Sequence, residues 1–364
     1  MSKATGPLAG VRIVEFAGIG PGPFACMLMS DMGADIVSIQ RPGYGRNHPG
    51  NFVNRGRRTI ELDLKKPEDL ASARALVAKA DALVEGFRPG VMEKLGLGPD
   101  DMLMLNPKLV YGRMTGWGQE GPLAMAAGHD INYVAVTGAL DSFRARTGGL
   151  VSPLNLVGDY GGGALYLVVG VLAALLAARA SGKGQIVDVA MCDGVASLIT
   201  MFHALSAMGV WDKAKPGTNL LDGGAHFYGV YETKDGQHFS IGAIEPQFYA
   251  EFLQRAGIDD PDFKKQNDKS AWPDLTRKME AIFKTKTRAE WSALLEGTDA
   301  CAMAVQTMSE APNHPHLVAR NTFVDFGGAV QPAPAPRFSR TPSQIQSAPA
   351  EGRIDAAAAI ASWS

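Results

Sequence analysis

The sequence predicts an α/β fold, and three observations carry that prediction. Residues 10–16 read as a strand, a glycine loop follows, residues 24–32 have helical spacing, and residues 34–39 read as a second strand. Such a β-α-β opening starts a parallel sheet. Strand and helix patterns then alternate as far as residue 190. After Lys213 the character changes: a glycine-rich linker leads to a hairpin with Asp235-Gly236 in its turn, and then to helices. The expected architecture is a large Rossmann-like parallel-sheet domain over residues 1–195, a linker over 196–224, and a small α+β domain over 225–325. Residues 326–364 form a return linker and a last segment of the large domain.

The elements follow in order. Gly33 stops the first helix, since glycine takes the left-handed conformation that ends helices. Residues 41–58 are loop-like and hold Arg41, Arg46, Arg55, Arg57 and Arg58. They make either a solvated basic surface or a phosphate-binding rim, for arginine forks match phosphate oxygens. Residues 59–64 alternate like a strand. Pro67 suits the first turn of the helix that runs to about Lys79. Residues 82–85 and 109–114 are further strands, each leading into a loop with glycine and arginine or tryptophan. In parallel sheets ligands sit beyond such carboxyl ends. Residues 130–140 have helical spacing, and a strand is expected near Leu154-Asn155-Leu156-Val157. A long apolar helix covers residues 162–179, and residues 185–190 return to the sheet. The helical run over 191–210 carries Met191, Met201 and Met208, read as core side chains ahead of an acyl-binding surface. In the small domain, strands over 226–233 and 237–242 precede helices near 247–256, 272–283 and 288–296. The stiff Pro332-Ala333-Pro334-Ala335-Pro336 run suits a crossing segment.

Composition removes several function classes. The chain has 364 residues, 46% hydrophobic, 20% charged, with a formal net charge of −2. Bulk nucleic-acid binding needs a basic surface, so no nucleic-acid partner is expected. Cys26, Cys192 and Cys301 are too few and too far apart for a disulfide framework or a zinc site, and suit a reducing cytoplasm. Residues 1–7 have no apolar signal core. The uncharged run over 160–178 approaches the length of a membrane span, but it opens on three glycines and reads as a core helix, so no membrane is expected. The loop Gly18-Ile19-Gly20-Pro21-Gly22-Pro23 lacks the third glycine of a dinucleotide fingerprint, and Gln40-Arg41 stands where a ribose-binding acid belongs. A nicotinamide cofactor is therefore not expected. His314-Pro315-His316 has no accompanying ligand cluster, so no metal site is assigned.

The chemistry concentrates between Gly128 and Gly163. Gly128-His129-Asp130 stands at a helix start, and Gly158-Asp159 precedes the long helix. Each residue alone has an ordinary structural explanation, as a cap or a turn. Together, a histidine and a carboxylate beside ligand-facing glycines suit removal and return of a proton on opposite sides of one carbon. The enolate left between the two steps needs prepaid stabilisation, which free amides near Asp130 would supply. Asp159 would need a raised pKa, through burial or a neighbouring carboxylate.

Several motifs together resemble the family III CoA-transferase superfamily over essentially the whole chain. They are Pro7-Leu8-Ala9-Gly10-Val11-Arg12-Ile13-Val14-Glu15, Gly33-Ala34-Asp35-Ile36-Val37, Gly86-Phe87-Arg88-Pro89-Gly90, Gly158-Asp159 and Gly182-Lys183-Gly184-Gln185. Gly128-His129-Asp130-Ile131-Asn132-Tyr133 marks the branch of the α-methylacyl-CoA racemases. The resemblance implies an isomerase without a cofactor, coenzyme A being part of the substrate. It implies that His129 and Asp159 exchange the α-proton of a 2-methylacyl-CoA thioester. It further implies an interlocked homodimer in which Glu245 reaches the histidine from the other subunit's small domain. The implied CoA-binding positions are Arg41, Leu62, Asp63, Leu64, Lys65, Gly86, Phe87, Arg88, Lys94, Gly128, Asp130, Ile131, Asn132 and Tyr133. A true CoA-transferase, with Asp159 as nucleophile through an acyl-aspartyl anhydride, is the alternative. Such enzymes commonly lack a histidine at the position of His129.

Overall fold

A computed structural model describes residues 5–44, 48–145, 148–349 and 352–363. Arg46, the first four residues and the final serine of the sequence reading lie outside the described residues. The chain divides into two units. One comprises Met1–Thr137, Pro153–Ile199 and Pro315–Ser364; the other comprises Gly138–Ser152 and Thr200–His314.

The first unit is built on a six-stranded sheet of β1 (Arg12–Phe16), β2 (Asp35–Gln40), β3 (Arg57–Glu61), β4 (Ala82–Glu85), β5 (Val110–Thr115) and β6 (Gln185–Ala190). The order is β3-β2-β1-β4-β5-β6, and every pairing is parallel. Successive side chains of a strand face opposite sides. Ile13 and Ile36 therefore enter one core, with Cys26, Met29, Leu167 and Val171, while Val14 and Val37 enter the other, with Leu76, Val77 and Tyr111. Two buried faces explain why the central strands read as continuous apolar runs. The strand order reverses direction between β1 and β4, which leaves a crevice at their carboxyl ends.

The strand expected at residues 154–157 does not form. The chain there enters a π-helical segment, Leu156–Ala164, which continues as the α-helix Leu165–Ser181. The physical reason is close backbone packing. A Cβ on Gly194, in the helix Met191–Leu198, would lie 1.9 Å from the Gly162 carbonyl oxygen; one on Gly162 would lie 2.8 Å from the Val195 nitrogen. Only glycine at both positions permits this crossing, and a widened helical turn accommodates it. The helix Leu165–Ser181 then buries Leu167, Val168, Val171, Ala174 and Leu175. Gly112 of β5 leaves room for Leu167 and Val171. Leu156–Ser181 is long and apolar enough to span a membrane, with a hydropathy of 2.1, and half of its most apolar window is buried in the protein.

The C-terminal residues cover the β3 edge. Thr59 donates its N–H to the Gly352 carbonyl (2.7 Å) and accepts one from Ile354 (3.0 Å). Trp363, on the helix Ala356–Ser362 side, donates Nε1–H to Asp35 (2.8 Å). Pairing an edge in this way removes a template for association. A hairpin of Phe323–Phe326 and Ala329–Pro332, turned at Gly327 and Gly328, and the helix Pro99–Leu105 were not legible in the sequence pattern.

The second unit has an antiparallel sheet of β7 (Tyr228–Glu232), β8 (His238–Gly242) and β9 (Ala302–Ala304), in that order. The Asp235-Gly236 turn joins the first two, as its sequence predicts. Helices Pro246–Ala256, Trp272–Phe283 and Arg288–Leu295 pack on an aromatic core of Phe227, Tyr231, Phe239, Phe252, Phe283 and Trp291.

The glycine crossing gives a direct test. Gly194→Ala should destabilise the protein by about 1–3 kcal/mol, the usual cost of overpacking a filled interior. Urea unfolding measures it, and parental stability in this variant would contradict the backbone contact.

Candidate active site at the switch point

A cavity of about 400 Å³ opens at the carboxyl ends of β1, β4 and β5. Its walls come from Glu15 and Phe16, the glycine loop over 18–23, residues 84–89, Met114 to Trp117, and the segment that ends at His129. Tyr133, Asp159 and Met191 complete it. His129 and Asp159 thus line one cavity from two separate elements.

His129 is the residue before the helix Asp130–Val136 and has extended backbone angles. Its N–H donates to the Asn132 side-chain oxygen (3.0 Å), which caps the helix start and fixes the histidine backbone. The Tyr133 hydroxyl donates to the Gly128 carbonyl, tying down the residue before it. The Tyr133 ring meets Trp117 edge-on at 4.8 Å. A Cβ on Gly116 or Gly128 would overlap that ring, at 2.1 and 2.7 Å. Glycine at these positions is therefore a packing requirement of the loop that presents His129.

Asp159 projects from the π-helical segment. Its N–H donates to Asp130 Oδ2 (2.6 Å), and its own Oδ2 accepts from Asn155 (3.3 Å). Gly20, at φ 68°, approaches so closely that a Cβ there would lie 2.9 Å from Asp159 Oδ2. Burial pushes the Asp159 carboxyl above its ordinary pKa; the Asn155 hydrogen bond opposes this, the Asp130 charge adds to it, and His129 opposes it. Burial, followed by the charge of Asp159, likewise raises the Tyr133 phenol.

Two further carboxylates line the cavity, and both are engaged. Glu15 pairs with Arg57 (2.8 Å), with both side chains almost wholly buried. Glu85 accepts from Arg113 (3.0 Å) and from the Phe87 N–H (2.7 Å), which anchors the loop over 86–90. Burial pushes the Glu85 carboxyl up against these partners.

The other expected site residues distribute unevenly. Gly86, Phe87, Arg88, Gly128 and Tyr133 line the cavity with His129 and Asp159. Arg41 is exposed outside it, its guanidinium 5.4 Å above the Tyr44 ring. Lys65 and Lys94 are exposed, Leu62 and Leu64 belong to the core beside β3, and the Asp63 N–H caps on Asp69. Ile131 and Asn132 are exposed on the helix after His129, whereas Asp130 is buried beneath it. Glu245 belongs to the second unit, exposed at the start of the helix Pro246–Ala256. Among the described residues no group of three His, Cys, Asp or Glu side chains is gathered for a metal.

For Arg55, Arg57 and Arg58 both sequence readings of the arginine loop need correction. Arg55 pairs with Asp31 (2.5 Å), Arg57 with Glu15, and Arg58 with Asp35 (2.7 Å). The first two pairs are buried, because each guanidinium finds a carboxylate and carbonyls inside the sheet's edge. These arginines hold the scaffold. The core reading of the methionines also fails in part: Met191 is buried against the cavity, but Met201 and Met208 are 50% and 71% exposed. Sequence reasoning missed Gly20, Gly116, Trp117 and Glu85 as site residues. Glycines in two strand-end loops were the available signal.

Comparisons with known proteins place the chain in a family. The family model described as CoA-transferase family III matches residues 8–353. An alpha-methylacyl-CoA racemase of Mus musculus is 43% identical over 92% of this chain and 87% of its own length. One of Homo sapiens is 40% identical over the same shares. A crystal structure of a CAIB/BAIF family protein from Brucella suis superposes with a TM-score of 0.81 at 25% identity, covering 99% of this chain and 100% of that one. This chain is an enzyme that belongs to CoA-transferase family III.

Proposed function

We propose that the enzyme interconverts the two configurations at C2 of 2-methylacyl-CoA thioesters by proton transfer through an enolate. The observation that carries this reading is the placement of His129 and Asp159 on one cavity, each held by its own backbone anchor. The racemase names of the relatives at 43% and 40% identity support the substrate class.

In this reading the acyl thioester occupies the cavity with C2 between the two side chains. Neutral His129 removes the proton from one face while protonated Asp159 delivers one to the other; the reverse state handles the opposite configuration. N–H groups at the start of the helix Asp130–Val136 stabilise the enolate oxygen. The raised Asp159 pKa suits a group that must hold a proton in half of the cycle. Arg41, Arg88, Lys65 and Lys94 are cations for the CoA phosphates. The active species is a homodimer, with Glu245 supplied to His129 by the second subunit. The exposed Leu165, Val169 and Leu176 of the long helix, 48%, 66% and 68% accessible, support such a cover.

A single enantiomer of a 2-methylacyl-CoA incubated in heavy water should yield racemised, deuterated product. Retained configuration without deuterium sinks the proposal, and an Asp159 hydroxamate formed when hydroxylamine displaces the activated group from the aspartyl carbonyl marks a transferase instead.

His129→Ala should lower the exchange rate by about two to four orders of magnitude, the worth of a positioned acid or base. Near-parental exchange would remove His129 from the chemistry.

The pH profile has a defined sign. Turnover needs one proton on the pair, so kcat/KM falls as pH drops through the raised Asp159 pKa, and falls again when the last proton leaves at high pH. Both directions share this profile, because their starting states are tautomers. An acidic limb lying within the ordinary carboxylate range would contradict the raised Asp159.

A further inference from the structure

Asp130 follows His129 directly, yet its side chain turns away from the cavity lining and is 7% exposed. Its Oδ2 accepts the Asp159 N–H at 2.6 Å, a short, charge-assisted bond. The approach leaves no room at the preceding residue: a Cβ on Gly158 would lie 2.5 Å from the same oxygen. The second oxygen, Oδ1, is buried without a hydrogen-bond partner. A neutral amide oxygen would also accept the Asp159 N–H, though more weakly. A carboxylate with one oxygen left bare is costly to bury, and such an exception calls for an explanation.

We propose that Asp130 is a positioning residue for Asp159: its carboxylate fixes the backbone of the turn that aims Asp159 into the cavity, and its negative charge favours the protonated form of that side chain. The proposal rests on the reading of Asp159 as an acid and base, and deepens it. Adjacent positions in sequence then divide the labour: His129 faces one side of the substrate, and Asp130 tunes the group on the other.

The groups around Asp159 leave this role to Asp130. From the same helix start come His129, whose positive form opposes the effect, and Asp130, which reinforces it. Tyr133, on the next turn, lies in the field of both aspartates and of Arg88 and Cys192. Cys192, with Asp193 beside it, comes from the helix Met191–Leu198. Asn155, in the turn before the π-helical segment, adds a neutral donor. The loop at Gly20 brings no titratable side chain. Glu15 and Glu85 line the same cavity, each turned to an arginine.

Asp130→Asn keeps an oxygen for the Asp159 N–H and removes the charge. In the full-length enzyme, the Asp159 carboxyl is followed by ¹³C NMR titration and assigned by its loss in Asp159→Asn. Its midpoint should move to lower pH in Asp130→Asn, and the acidic limb of kcat/KM should move with it. An unmoved midpoint in the folded variant overturns the proposal. Asp130→Ser, a smaller uncharged side chain, should shift the midpoint the same way and serves if the asparagine variant does not fold. In the unaltered enzyme the Asp159 amide should exchange slowly with solvent; rapid exchange overturns the anchoring role without any substitution. The carboxyl titration needs no turnover. It therefore judges this proposal even if the parental enzyme fails to exchange an α-proton, a result that would sink the racemase reading alone.

Discussion

The approach of Gly162 to Gly194, carbonyl oxygen against α-carbon, decides where the Asp159 carboxylate stands. No side chain fits between the two segments, so the chain before the long helix must widen into a π-helical turn rather than extend as a strand. That turn lifts Asp159 toward the crevice between β1 and β4 and places its N–H on Asp130. The glycine loop after β1 closes on it from the other side, again with a glycine at the contact. The cavity thus depends on backbone proximity at three glycines more than on any single side-chain contact.

Four carboxylates stand in or beside this small space, and their partners separate their roles. Glu15 is neutralised by Arg57, and Glu85 is held by Arg113 and the Phe87 amide. Asp130 is committed to the Asp159 amide. Asp159 alone among them reaches the cavity with no cationic partner at hydrogen-bond distance among the described residues, only the Asn155 amide. A partly buried carboxylate in that position holds its proton more tightly. The engaged carboxylates tie their loops to partners, and Asp159 is the one left without a cation at hydrogen-bond distance among the described residues. Rigid support beneath a titrating group is the arrangement that proton transfer requires, since misplacement by about an ångström costs much of the rate.

The strand and helix alternation was legible because it rests on local periodicity. The strand over 185–190 and the helix Trp272–Phe283 fall where the pattern places them. The Asp235-Gly236 turn was legible because few residues tolerate its backbone angles. The strand expected at residues 154–157 was lost because the controlling contact comes from Gly194, far along the chain. The arginine loop misled for a related reason. Arginines in a polar loop look solvent-facing until Asp31 and Glu15 appear beside them.

The sequence by itself determined the doubly wound sheet, the change of character at the second unit, and the identity of His129 and Asp159 beside glycines. Periodicity, turn chemistry and side-chain identity are local properties, and one chain suffices to read them. The tertiary structure alone decided that His129 and Asp159 share a cavity. It also turned Asp130 inward beneath its neighbour, committed Arg55 and Arg57 to the scaffold, and gave Gly20 and Gly194 their necessity. Each of these depends on atoms brought together from distant positions, where a 2.6 Å hydrogen bond or a missing Cβ leaves no trace in the local pattern.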